Sequence, residues 1–135
     1  MSEKFKKEER LCSKSAIDEL FKSGSSFVVF PFRVVFLANP VTDKGQIAQV
    51  IISVSKRRFK RANARNRIKR LMREAYRLQK EKLLYAALRE AGIRLNLAIQ
   101  YVGKEELSFV LMHTKMEKAL KNLLDELIKN NTTGI

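Results

Sequence analysis

The side chains most suited to chemistry in this chain are concentrated in "SKRRFKRANARNRIKRLMREAYR", Ser55 to Arg77, which holds eleven Lys or Arg residues against one acid, Glu74. Arg predominates, and its planar fork matches phosphate oxygens and the edges and faces of nucleic-acid bases. From about Asn63, the apolar residues Ile68, Leu71, Met72, Ala75 and Tyr76 recur at i, i+3, i+4, i+7 and i+8, which predicts a helix with one core-facing stripe. On that helix Asn66, Lys69, Arg70, Arg73 and Arg77 gather on the side away from the stripe, with Arg65 and Arg67 at its flanks. Cations crowded at i+3 and i+4 repel one another by a few tenths of a kcal/mol per pair, roughly. Such a face makes physical sense when a polyanion neutralises it. Asn66 adds a donor and an acceptor without charge, as a sugar or base contact requires. A merely solvated face would mix signs, and a membrane-surface helix would need for lipid the stripe that the flanking strands need for a core.

Other chemistry has little to work with. His113 and Cys12 are the only residues of their types, so neither finds a second histidine or thiol for a metal site or an intramolecular disulfide. Cys12 reads as a helix-start residue and His113 as a packed or surface one. Glu105-Glu106 and Asp125-Glu126 read as solvated helix positions, and no carboxylate pair has the spacing of a metal nuclease. The expectation is a protein with no catalytic residue and no metal ligand, which binds nucleic acid while another component does the chemistry.

The elements that must hold this helix can be read along the chain. With 135 residues, 45% of them apolar, one domain spanning 1–135 is expected, its ends at 1–9 and 131–135 flexible. The net charge is +14, yet twelve basic residues and one acid lie between Lys56 and Lys80, so the charge is a patch. The charged N-terminus has no signal-peptide core, and "FVVFPFRVVFLA" is cut by Pro31 and Arg33, so a cytoplasmic protein without a membrane span is expected. "RLCSKSAIDELFKSG" predicts a short helix capped by Ser13 or Ser15 and closed by Gly24, with Ala16, Ile17, Leu20 and Phe21 inward. "FVVFPFRVVFLAN" and "GQIAQVIISVS" predict strands, paired as a hairpin across "NPVTDKG". The apolar arc rotates near Leu78 to Lys82, which implies a new packing partner or a second helix, and Gly92 ends it. "LNLAIQYVG" predicts another strand. A closing helix starts at Ser108, or at Thr114 with Glu117 in capping-box spacing. This order gives a small α+β sandwich.

At "ARNRIKRLMREAYR" the sequence resembles the bacterial ribonuclease P protein component. Arg65-Asn66-Arg67, Ile68-Lys69-Arg70 and Arg73-Glu74 look like that family's signature, placed after a Val-Ser-Lys strand end. The likeness extends to "RLCSKSAIDELFKSG", "PFRVVFLAN", "VIISVSKRR" and "LAIQYVGK". It implies an α/β sandwich whose central sheet has a left-handed βαβ crossover carrying the basic helix, against the usual hand. It implies the protein subunit of an endonuclease that removes the 5′ leader of precursor tRNA, with catalysis in a large RNA working with Mg²⁺ and no obligate protein partner. Lys56, Arg57, Arg58, Lys60, Arg61, Arg65, Asn66, Arg67 and Arg70 would then face the ribonuclease P RNA. Ile17, Phe21, Val34, Phe36, Asn66, Lys69 and Arg73 would line a cleft for the precursor tRNA leader. A ribosomal or ribosome-assembly protein using the same helix on ribosomal RNA is the alternative. Two positions depart from the family pattern: Ile17 stands where an aromatic is common, and "RRFKRA" replaces the usual Gly before the signature helix. The segment "LQKEKLLYAALREAGIR" is longer than the minimal family version.

Overall fold

The computed structural model describes residues 5–40 and 46–133. Helix α1 spans Lys14–Ser23; the Ser13 hydroxyl accepts the Ala16 N–H at 3.3 Å, which selects Ser13 over Ser15 as the cap. Gly24 closes it, donating its N–H to Leu20 O at 2.8 Å. A Cβ there would sit 2.4 Å from Leu20 O and 2.7 Å from Phe36 O, so only glycine lets the helix end this close to the sheet.

Strands β1 (Ser25–Val29) and β2 (Phe32–Ala38) form an antiparallel hairpin around Phe30-Pro31. β3 (Ala48–Val54) is followed by the long helix α2 (Ala62–Lys80) and, after a short helix, by β4 (Leu95–Tyr101). The sheet order is β1-β2-β4-β3, with β2 and β4 antiparallel and β3 and β4 parallel. The expected pairing of β2 with β3 is therefore wrong: β4 lies between them. Val, Ile and Phe content identifies strands but not neighbours. The parallel β3–β4 pair requires a helical crossover, which α2 supplies. The chain after β2 is turned toward the start of β4 by Asn39, at φ 52°, whose N–H reaches Arg94 O at 2.6 Å and whose Oδ1 accepts the Arg94 N–H at 3.1 Å. The middle of "NPVTDKG", residues 41–45, lies outside the described residues.

The rotated apolar arc has a clear origin. After Lys80 the helix makes a π-type turn at Glu81–Tyr85, then continues as α3 (Ala86–Ala91) to Gly92 in the left-handed region at φ 69°. A π turn fits an extra residue into the turn and so shifts the buried face, which brings Leu84 and Leu88 onto the core; Leu78, ahead of it, is exposed. Helix α4 (Phe109–Thr133) begins after Ser108, whose hydroxyl accepts the Leu111 N–H at 3.3 Å; Thr114 lies inside it and donates to Val110 O.

The sheet separates two apolar layers. Phe32, Val34, Phe36, Val50, Leu97 and Ile99 meet Met72, Tyr76, Met112 and Leu120 of α2 and α4. On the other face Val35 and Ala98 pack with Leu11 and Leu20 under α1, flanked by Ile17, Leu37 and Ile51. Within the segment 1–9 expected to be flexible, Glu9 is buried and the Phe5 ring packs edge-on against Tyr76 at 5.9 Å. Residues 1–4 and 134–135 lie outside the described residues, and α4 runs through 131–133.

Candidate nucleic-acid interface

Ile68, Met72, Ala75 and Tyr76 are fully buried, so the stripe read from the sequence sets the rotation of α2. Burying them fixes which cations point out. Asn66, Arg67 and Arg70 are exposed, and Arg65, Lys69 and Arg73 are half-buried. Ahead of the helix, Lys56, Arg57, Arg58, Lys60 and Arg61 are all exposed on a loop anchored by Phe59, whose ring meets the buried Tyr101 ring at 5.9 Å. One aromatic anchor thus presents five cations.

The two arginines flanking Asn66 are already engaged. Arg65 Nη1 donates to Phe59 O and Lys60 O, both at 2.8 Å, so this guanidinium ties the loop to the helix. Arg67 makes a bidentate pair with Glu106, Nε to Oε1 at 3.1 Å and Nη2 to Oε2 at 3.0 Å. The pair raises the Arg67 pKa and lowers that of Glu106, chiefly through these hydrogen bonds. Glu106 was expected on a solvated helix; it lies in the turn before α4, because Ser108 starts that helix two residues later. Beside the loop, Phe30, Arg58, Lys104 and Leu107 line a recess of about 530 Å³.

The opposite flank of α2 is arranged differently. Arg70, Arg73, Glu74 and Arg77 line a recess of about 440 Å³ together with Phe5 and Arg10 from the N-terminal segment. Burial, then repulsion from Arg10 and Arg70, pulls the Arg73 pKa below its ordinary value. Arg77 Nε donates to Glu74 Oε2 at 3.1 Å and lowers the Glu74 pKa. Lys80, part of the basic segment by sequence, is not on this face. It is buried, with Nζ 2.6 and 2.7 Å from the two oxygens of Glu9. The Tyr85 hydroxyl donates to Glu9 Oε2 at 2.6 Å and lies 2.9 Å from the Tyr76 hydroxyl. Burial opposes the Glu9 charge, but bonds from Lys80, Tyr85 and the Lys6 N–H outweigh it and keep its pKa low. Burial also pushes both tyrosines up. Nothing in the sequence pointed to Glu9 or Arg10: the partners of Glu9 are 71 and 76 positions away.

The residues expected to line a leader cleft fall on two sides of the sheet. Ile17 is half-buried and Phe21 exposed, both on α1. Val34 and Phe36 are each 2% exposed and lie in the core on the far side of the sheet, so they line no cleft under α1. Strand side chains alternate, and a one-residue displacement in register exchanges faces. The β2 residues on the α1 side are Arg33, hydrogen-bonded to Gln100 Oε1 at 2.8 Å, Val35 and Leu37. Arg73 reaches this side from α2: it shares a recess of about 250 Å³ with Arg10, Leu11, Cys12 and Ile51. Asn66 and Lys69 have no hydrogen-bond or ion-pair partner among the described residues. Cys12 is an exposed free thiol, and the His113 ring packs against Phe109 at 5.7 Å. Among the described residues, no three His, Cys, Asp or Glu side chains cluster to hold a metal ion. No helix among them is long and apolar enough to cross a membrane.

A four-stranded mixed sheet whose crossover helix and loop present cations outward defines a small α+β RNA-binding protein. The sequence model described as Ribonuclease P matches residues 5–124, and the chain belongs to the ribonuclease P protein family. The ribonuclease P protein component of Porphyromonas gingivalis is 40% identical over 114 residues, covering 84% of this chain and 82% of that one. Its counterpart from Chlorobium phaeobacteroides is 35% identical over 127 residues, covering 87% and 86%. The fold matches the RNase P protein structure from Staphylococcus aureus with a TM-score of 0.64, at 20% identity and 85% and 94% coverage. The RNase P protein from Thermotoga maritima gives 0.61, at 24% identity and 84% and 96% coverage. None of these relatives supports the ribosomal alternative.

Proposed function

We propose that this chain binds the ribonuclease P RNA through the 55–61 loop and the outward side of α2. We further propose that it guides the 5′ leader of precursor tRNA past Arg73 toward α1. As a ribonuclease P protein component it is a subunit of the endoribonuclease that matures tRNA 5′ ends, and the catalytic RNA is not in this chain. The observation that carries the binding reading is the outward set Lys56, Arg57, Arg58, Lys60, Arg61, Asn66 and Arg70, exposed on a loop and helix whose orientation the buried stripe fixes. Phosphate contacts supply most of such an affinity and make it salt-dependent. Ile17, Phe21, Lys69 and Arg73 remain as leader contacts, with Leu37 and Ile51 in place of Val34 and Phe36. In this reading Mg²⁺ belongs with the RNA subunit, and the protein acts in the cytoplasm.

The test mixes purified protein with a bacterial ribonuclease P RNA and precursor tRNA. Cleavage at low Mg²⁺ should rise when the protein is added; an unchanged rate would count against the reading. Lys69→Ala should weaken binding of precursor more than of mature tRNA, and equal weakening of both would remove Lys69 from the leader path.

A further inference from the structure

The recesses on the Arg73 flank meet at the same side chains: Phe5, Arg10 and Arg73 line both. Glu74 is the one carboxylate on either lining, and Arg77 engages it. Arg10, Arg70 and Arg73 have no carboxylate partner among the described residues. Three guanidinium groups around one recess repel one another, and the anion that satisfies such forks is a phosphate oxygen pair.

Arg10 is not brought there by a loose terminus. Its neighbours Glu9 and Leu11 are both buried, while Arg10 is exposed. Glu9 is drawn to Lys80 and Tyr85, and its Oε1 also accepts the Lys6 N–H at 3.1 Å. Leu11 donates its N–H to Val50 O at 2.9 Å, and Gln49 Nε2 donates to Glu8 O at 3.0 Å, so β3 holds the same segment from the other side. Arg10 is extended, at φ −79° and ψ 128°, directly after the 3-10 turn Lys7–Glu9. With Glu9 and Leu11 turned inward, Arg10 points to the recess, its guanidinium 5.9 Å from the centre of the Phe5 ring.

We propose that Arg10, Arg70 and Arg73 form a binding subsite for one phosphodiester of an RNA chain, and that Glu9, held by Lys80 and Tyr85, is the positioning residue that keeps Arg10 in it. The inference rests on the RNA-binding reading above and adds to it the N-terminal segment. The phosphodiester can come from the ribonuclease P RNA or from the precursor leader; the anion is the same, and the experiment separates the two.

Two affinities are measured over a salt series: protein for ribonuclease P RNA, and assembled holoenzyme for precursor and mature tRNA. Arg10→Gln should lower one of them about tenfold at low salt, as loss of a charged hydrogen bond does. It should also shallow the log–log salt slope by about 0.7 to 0.9. Arg10→Lys should restore the slope, because it restores the charge. Lys118→Gln, an exposed change on α4, controls for net charge alone. Loss confined to the RNA subunit assigns the phosphodiester there; loss confined to precursor tRNA assigns it to the leader. The double variant Glu9→Gln/Lys80→Met should resemble Arg10→Gln, and adding Arg10→Gln to it should change little further. Glu9→Asp, which keeps the charge and shortens the reach, gives the same reading where the double variant does not fold.

Arg10→Gln behaving like Lys118→Gln in both assays overturns the subsite. Full affinity and slope in the Glu9 variants overturns the positioning role alone. A wild-type protein that binds neither RNA overturns this inference together with the reading beneath it.

Discussion

At the start of α2, beside the 55–61 loop, Arg65 and Arg67 direct their donors to groups of the protein itself: two loop carbonyls and the carboxylate of Glu106. On the flank facing residues 5–11, Arg10, Arg70 and Arg73 surround a recess and find no carboxylate among the described residues. The residue type is the same, yet one set is largely engaged and the other is held open. The difference lies in what each flank packs beside. A loop turning back on a helix start supplies carbonyls, and the turn before α4 supplies Glu106. The N-terminal segment instead turns its own acid, Glu9, inward to Lys80 and leaves Arg10 outside. On the proposed reading, RNA reaching Arg67 would have to displace an existing pair, whereas at Arg70 and Arg73 it would relieve repulsion.

Removing what holds the open flank together should have the largest effect. Lys80→Ala leaves the buried Glu9 carboxylate without its cation, and Glu9→Gln does the reverse; breaking a buried pair from one side costs about 3–5 kcal/mol. Urea denaturation should show this, with Glu9→Gln/Lys80→Met recovering most of it. A single variant within about 1 kcal/mol of wild type would mean that the pair is not a clamp. The same pair sets an acid limb. The folded Glu9 pKa lies below its ordinary value, so its contribution is complete above the ordinary carboxylate range and is lost as pH falls through the lowered value. Wild type should lose stability steeply on acidification, and the double variant, lacking this carboxylate, should lose less over the same window. Equal acid sensitivity in the two proteins would assign the limb to other carboxylates.

The contrast between flanks also marks what could be read in advance. The stripe Ile68, Met72, Ala75, Tyr76 gave the rotation of α2, because periodicity reports the buried face directly. Gly24 and Gly92 marked helix ends, and the starts were narrowed to Ser13 or Ser15 and to Ser108 or Thr114, because caps are local chemistry. Strand order was not legible. The pairing of β3 with β4 depends on forty-odd intervening residues, and nothing local in "NPVTDKG" excludes a hairpin. Val34 and Phe36 failed for a related reason: alternation gives two faces but not which one α1 covers. The state of each cation was the least legible feature. A wheel puts Arg70 away from the stripe and Arg65 and Arg67 at the flanks, but only packing shows one holding carbonyls, one holding Glu106 and one facing an open recess.

A moderate effect is expected where that difference meets RNA. Arg70→Ala should weaken binding to the ribonuclease P RNA by about 1.5–3 kcal/mol, the range for charged hydrogen bonds, and shallow the salt slope by about 0.7 to 0.9. Arg67→Ala should shallow the slope less, because Glu106 already offsets that charge in the free protein. Equal slopes for the two variants would erase the distinction between the flanks.

The smallest effect is the most direct probe of the engaged flank. Glu106→Gln removes the carboxylate that holds Arg67 without removing the arginine. Both partners are well exposed, so the pair contributes little to folding, and the melting temperature should barely move. RNA binding should strengthen slightly, since Arg67 no longer has to leave a partner and one repulsive charge is gone. The gain should fade at high salt, as exposed electrostatic contributions do. In the background of Arg67→Ala, Glu106→Gln should still give whatever benefit comes from lifting general repulsion, but lose the part that came from freeing Arg67. The shortfall between backgrounds is the coupling energy of the pair as RNA experiences it. Identical gains in both backgrounds would show that Glu106 acts only as a distant negative charge, and that Arg67 is as available to RNA as Arg70.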